Sequence, residues 1–150
     1  MEGLSLLADG ELFAVDVTLV GRVVRRIPYT PVLAAPSSVV GIAGLNGGII
    51  TLLSLSELLG HPRSASAVNA IIFKAMTNGN DQMGLLVDKP GSLISINDDE
   101  IIPPYFSESD EKVSFVTGMA EIGDKLYRII DIYSIINRFV EGRDRFNHAN

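Results

Sequence analysis

Cysteine is absent from the 150 residues, and histidine occurs only twice. Without Cys there is no disulfide scaffold, no Cys-ligated zinc, no iron–sulfur centre and no thiol nucleophile. Such a chain suits a reducing compartment. Basic residues are scarce as well: 12 Lys and Arg against 18 Asp and Glu leave a formal charge of −6. Phosphate binding needs a basic surface, so the balance argues against nucleic acid as a main partner. Long apolar runs are missing too. Residues 27–56 hold no charge, yet Pro28, Pro31, Pro36, Gly41, Gly44, Asn46, Gly47 and Gly48 break them up. No window offers the roughly 18 uninterrupted apolar residues of a spanning helix. Met1-Glu2-Gly3, with no basic stretch ahead of apolar residues, predicts no signal peptide. A cytoplasmic protein without membrane insertion is the expectation.

What the chain does have is hairpin punctuation. Asp9-Gly10 separates Leu4–Ala8 from Leu12–Val17, and Asn46-Gly47 separates Val39–Leu45 from Ile49–Leu53. Asn78-Gly79 separates Val68–Met76 from Met83–Val87, and Gly123-Asp124 separates Phe115–Ile122 from Leu126–Ile130. Asn-Gly and Asp-Gly tolerate the positive φ of tight hairpin turns. The flanks are rich in Val, Ile, Leu and Phe, which suit a buried pleated surface. Helices are few. Ser54–Leu59 predicts a turn or two closed by Gly60 and Pro62. Asp131 to about Val140 predicts a helix, with Ile132, Ile135, Ile136, Phe139 and Val140 on one face. Asp131 would cap it and Gly142 stop it, and residues 141–150 would fray.

One unit is used twice. Gly41–Leu59 lies over Gly118–Ile136 at an offset of 77 residues without a gap. Gly41 meets Gly118, Ala43 meets Ala120, the two turns coincide, and each helix segment follows its strands. Another hairpin precedes each copy, at Leu4–Val24 and Val68–Ile96. The expected fold is mainly β: two SH3-like five-stranded barrels sharing a core, with short helices including a C-terminal one. The whole chain would be one domain of two intertwined subdomains, roughly 1–66 and 67–140. Charge separates the halves: residues 1–75 carry five acids and five bases, residues 76–150 carry 13 and seven.

A search for chemistry returns little. His61 lies in the turn Gly60-His61-Pro62 and His148 in the tail, neither beside a carboxylate or nucleophile at a telling spacing. No HExxH, DxD or GxSxG pattern occurs. Residues 41–48 superficially suggest a phosphate loop but lack GxGxxG spacing and a following helix N-terminus. Asp16, Asp88 and Asp131 end or interrupt apolar runs and read as caps rather than a cation site. No catalytic residue, metal or cofactor is expected. Arg22, Arg25 and Arg26 form the densest basic cluster. On a strand, Arg22 and Arg26 would share a face, and the cluster could dock an acidic partner.

The segment Val39 to Leu55 resembles the central signature of the CheW-like family, roughly G-hydrophobic-x-N-L-R-G followed by an apolar strand and a D-L step. Phe13-Ala14-Val15-Asp16-Val17, Val20-Gly21-Arg22-Val23 and Gly84-Leu85-Leu86-Val87-Asp88 are similar to further family elements. So are Ile101-Ile102-Pro103-Pro104, Val116-Thr117-Gly118 and Asp131-Ile132, all in family order. The resemblance spans about Leu4 to Ile136. It implies two SH3-like barrels, no catalysis and no cofactor. It also implies a bacterial adaptor linking chemoreceptor cytoplasmic tips to the regulatory domain of the histidine kinase CheA. By the same resemblance Val20, Arg22, Gly41, Asn46, Gly84, Leu93 and Gly118 lie at or near partner surfaces. Departures occur. Asn46 stands for the signature Arg, Thr51 for its Pro and Ser54 for its Asp, and Arg22 stands where an acid is frequent. Asn46 and Arg22 would then act as a coupled pair. Two other functions stay open: regulation of another kinase pathway, and a small-ligand or enzymatic tandem-barrel domain using Asp16, Asp88 or His61.

Overall fold

The computed structural model describes residues 1–32, 38–74, 81–104 and 115–137. Among the described residues twelve strands run in chain order: β1 Glu2–Ala8, β2 Glu11–Asp16, β3 Val20–Val24, β4 Thr30–Pro31, β5 Val39–Leu45, β6 Gly48–Ser54, β7 Asn69–Phe73, β8 Asp81–Val87, β9 Lys89–Ser95, β10 Ile101–Ile102, β11 Val116–Ile122 and β12 Lys125–Ile130. A short helix, α1, covers Leu55–Leu58, and a second, α2, covers residues 132–137. The expected extension of α2 through Phe139 and Val140, its stop at Gly142 and the 141–150 tail lie outside the described residues, as does the turn at Asn78-Gly79.

The strands form two six-stranded sheets, ordered β10-β11-β12-β2-β1-β9 and β3-β7-β8-β6-β5-β4. These are the two SH3-like barrels, and the two-residue strands β4 and β10 bring each sheet to six. The hairpins form where turn chemistry puts them. Asp9 and Gly10 take φ of 54° and 74°, and Asn46 and Gly47 take 51° and 81°. Both pairs therefore supply the two positive φ values of a type I′ turn, whose twist matches that of the strands.

The repeat is real down to its irregularities. β5–β6–α1 matches β11–β12–α2 at the same offset, and the ladders slip between Val39 and Gly41 and between Val116 and Gly118. In both copies the second hairpin strand then runs parallel to a neighbour, β6 to β8 and β12 to β2. The helix caps correspond too. Ser54 Oγ accepts from Glu57 N at 3.2 Å, and Asp131 Oδ1 accepts from Tyr133 N at 3.0 Å. Ser in place of the signature Asp therefore keeps the cap, since both types satisfy an orphan N–H.

The boundary expected near residue 66 does not separate the sheets. β1 and β2 join the sheet of β9–β12, while β7 and β8 join that of β3–β6. The third strand of each triplet crosses over: β3 pairs with β7, and β9 pairs with β1. Crossing leaves β7 and β8 covered on both faces, so alternate residues face different cores. Ile71, Phe73, Leu85 and Val87 join Leu4, Leu6, Phe13, Val15, Leu53, Ile132 and Ile135 in a core shared by both sheets and both helices. Ala70, Ile72 and Leu86 point the other way, joining Ile50 and Leu52 inside the second sheet. Ala14, Ile96, Ala120 and Ile129 fill the first. Each fully buried large side chain contributes about 1.5–3 kcal/mol, and none of the shared core survives separation of the halves.

Candidate functional site

Gly41, Gly84 and Gly118 are buried. A Cβ on Gly41 would run into Thr30 O and come within 2.8 Å of Tyr29 Cδ2. On Gly118 it would come within 2.6 Å of Ile101 Cγ2, and on Gly84 within 3.0 Å of Leu52 Cδ2. The equivalent glycines of the two repeats thus admit the equivalent short strands, β4 beside β5 and β10 beside β11. These positions shape the surface from beneath.

Asn46 is exposed at the tip of the β5–β6 hairpin. Its φ of 51° accounts for its identity, because Asn visits the left-handed region more readily than Arg. Arg22 is exposed on β3, with β7, β8 and β6 between it and β5. The sheet order does not pair the two positions, contrary to the expected coupling. Arg26 also departs from expectation. β3 ends at Val24, and Arg26 lies in the following turn with φ 50°, so it shares no strand face with Arg22. Val20 is half-buried and packs against the shared core. Leu93, 65% exposed on β9, belongs to the other sheet.

The three acids act as caps and anchors. Asp16 Oδ1 accepts from Thr18 N at 2.9 Å and Thr18 Oγ1 at 2.7 Å. Asp131 Oδ2 accepts from Ser134 Oγ at 2.7 Å. Asp88 has more to do. Its Oδ2 accepts from Asp9 N at 3.1 Å, and its Oδ1 from Ser64 Oγ at 3.0 Å and Ser66 Oγ at 3.2 Å. Asp9 Oδ1 accepts from the buried Ser56 Oγ at 2.9 Å, while Asp9 Oδ2 is buried with no hydrogen-bond partner. This polar hub ties the β1–β2 turn, α1, the 60–68 loop and the β8–β9 corner together. The sequence marked its Asp9-Gly10 turn and Asp88 as a cap; isolated serines give no signal. Among the described residues no three His, Asp or Glu side chains gather as a metal cage. His61 is exposed just after the α1 turn, its backbone N–H donating to Ser56 O at 2.9 Å.

The repeats differ on their outer hairpin face. In the first copy Ile42 pairs with Thr51 and Gly44 with Ile49. Ile42 is 41% exposed and Ile49 56%. The corresponding positions of the second copy are Met119, Glu121, Leu126 and Arg128, and Arg128 reaches Glu11 at 3.5 Å. One barrel therefore presents an uncharged apolar face where the other presents a charged one.

These features define a class: a tandem β-barrel domain made from a duplicated unit whose third strands cross, offering surfaces of contrasting chemistry. The chain belongs to the CheW-like domain family, whose model matches residues 2–140. It is similar to the chemotaxis protein CheW of Rhizobium meliloti, 27% identical over 82% of this chain and 79% of that one. The chemotaxis protein CheW of Thermotoga maritima is 28% identical over 90% and 87%. Among solved structures, the scaffolding protein TtCheW of Thermoanaerobacter tengcongensis superposes with a TM-score of 0.73 at 27% identity, covering 86% of this chain and 87% of that one. Among the described residues, no helix is long and apolar enough to cross a membrane.

Proposed function

We propose that this protein is a non-enzymatic chemotaxis adaptor, coupling chemoreceptor cytoplasmic tips to the regulatory domain of the histidine kinase CheA. The observation that carries the reading is the family match across residues 2–140, supported by relatives named for chemotaxis and a structural neighbour named as a scaffold. The apolar Ile42–Ile49 face suits a partner with an apolar surface, which is how most stable interfaces build their centres. Val20, Arg22, Asn46 and Leu93 are the contact candidates, with Gly41, Gly84 and Gly118 holding the strands beneath them. The protein works in the cytoplasm and is recruited to receptor arrays. Arg22, a cation where the family often has an acid, favours one alternative: coupling to the kinase of a different pathway.

A pull-down from the protein's own host tests this. Recovery of both a CheA-type kinase and chemoreceptors is expected. Recovery of a different kinase without receptors would move the protein to the alternative, and recovery of neither would overturn both.

A further inference from the structure

Strand β3 is an outer strand of its sheet, and among the described residues it pairs only with β7. Gly21, Arg22 and Val23 are exposed. An open edge of this kind presents a row of N–H and C=O groups to an incoming strand. Four cations follow it. Lys74 stands at the entry end, its backbone N–H donating to Leu19 O at 2.9 Å. Arg22 is in the middle, opposite Ile72. Arg25 and Arg26 form the turn at the exit. The strand itself, Val20–Val24, spans about 13 Å at roughly 3.3 Å per residue. All four side chains are exposed, and none takes part in the Glu11–Arg128 ion pair found among the described residues. The exit end is held in place: Arg26 N donates to Asn69 Oδ1 at 3.2 Å, and Asn69 Nδ2 donates to Asp88 O at 2.8 Å.

The fold itself does not require these cations. β9 is the counterpart of β3, since each is the third strand of its triplet and crosses to the outer position of the other sheet. Yet β9 leads into exposed Asp98, Asp99 and Glu100, where β3 leads into Arg25 and Arg26. Residues 17–88 carry five bases and three acids, whereas the rest of the chain carries seven and fifteen. Basic charge is concentrated around one edge of a protein that is acidic elsewhere.

The geometry points to β3 as a docking edge for an extended, acidic segment of a partner protein. This deepens the adaptor reading and rests on it for the existence of a protein partner. Strand addition satisfies the open backbone groups. Acidic side chains of the segment reach Arg22 and the flanking Lys74, Arg25 and Arg26, and an apolar residue between them covers Val23. The acidic remainder of the surface repels the same segment, which confers selectivity.

The test uses the full chain and a synthetic peptide alternating Glu and Val, with a Lys–Val peptide as its counterpart. The Glu–Val peptide is expected to bind and the Lys–Val peptide not to bind. Binding should weaken with salt and shift the backbone amide resonances of residues 20–24. The double variant Arg22→Glu, Arg25→Glu should weaken it at least tenfold, and the neutral pair Arg22→Gln, Lys74→Gln should weaken it less. Absence of binding, indifference to these variants, or shifts confined to β5 and β6 would overturn the proposal. So would tighter binding of a single-stranded oligonucleotide than of the peptide. A salt-sensitive dimer in sedimentation velocity that Arg22→Glu dissolves would give the edge to a second copy and overturn it too. The peptide experiment needs neither kinase nor receptor, so its failure is distinguishable from failure of the pull-down.

Discussion

Replacing Gly41, Gly118 and Gly44 by Ala, one at a time, separates a packing role from a contact role. At Gly41 the added Cβ meets Thr30 O and lies 3.0 Å from Thr30 C, which are backbone atoms of β4 and cannot rotate aside. At Gly118 the obstacle is the Ile101 side chain at 2.6 Å, with Ile102 O at 3.4 Å. At Gly44 the nearest heavy atom is Gly48 O at 4.0 Å. Overpacking of a buried site costs about 1–3 kcal/mol. Gly41→Ala belongs at the upper end and Gly118→Ala near the lower end, because the latter meets the side chain of a half-buried residue rather than backbone. Gly44→Ala should be neutral or stabilise by about 0.4–1 kcal/mol through the unfolded state. For a chain of this length 1 kcal/mol moves the melting temperature by roughly 2–4 °C. Gly41→Ala should therefore melt about 6–12 °C lower, Gly118→Ala about 2–4 °C lower, and Gly44→Ala at or above the parent. Thermal and urea melts followed by circular dichroism measure all three. If Gly41→Ala melts with the parent, the close approach of β4 does not constrain position 41 and the reasoning is wrong.

Four further outcomes can be measured. Ser54→Ala and Asp131→Ala each remove a helix cap and should each cost about 1 kcal/mol, read from urea midpoints; no loss at either position would mean the short helices are held by packing alone. Asn46→Arg should lower stability by about 1–2 kcal/mol because it forces a bulky residue to φ 51°. In a double-mutant cycle with Arg22→Glu, the effects on stability and on kinase binding should add within about 0.3–0.5 kcal/mol; a larger interaction term would show that the two positions touch. Calorimetric titration with ATP and with divalent cations should be flat, and a saturable micromolar response would revive the small-ligand reading.

Hairpins and the repeat were legible because their causes are local. Asp9-Gly10 and Asn46-Gly47 need positive φ at both positions, and few residue pairs accept that. The 77-residue offset carried strand, turn, cap and helix together, so Ser54 falls at the position of the expected cap Asp131. The strand crossing was not legible. Whether Val20–Val24 pairs with β2 or with β7 depends on contacts about 50 residues away, and the residues of β3 suit either partner. The place of Arg26 was missed for a related reason: nothing in Arg25-Arg26-Ile27-Pro28 announces a left-handed residue, and its position is fixed by Asn69. The constraint on Gly41 comes from Tyr29 and from Thr30, which opens a two-residue strand too short to leave a pattern. The resemblance placed Gly41, Gly84 and Gly118 near partner surfaces, and the structure supplies a packing reason for each.

The adaptor reading has one direct measurement. Receptor-bearing membranes from the host are sedimented with purified CheA-type kinase, with and without this protein. An adaptor predicts that the kinase pellets with the membranes only when the protein is present, and that the protein pellets with it. Kinase that pellets equally without the protein, or stays in the supernatant with it, would contradict the account.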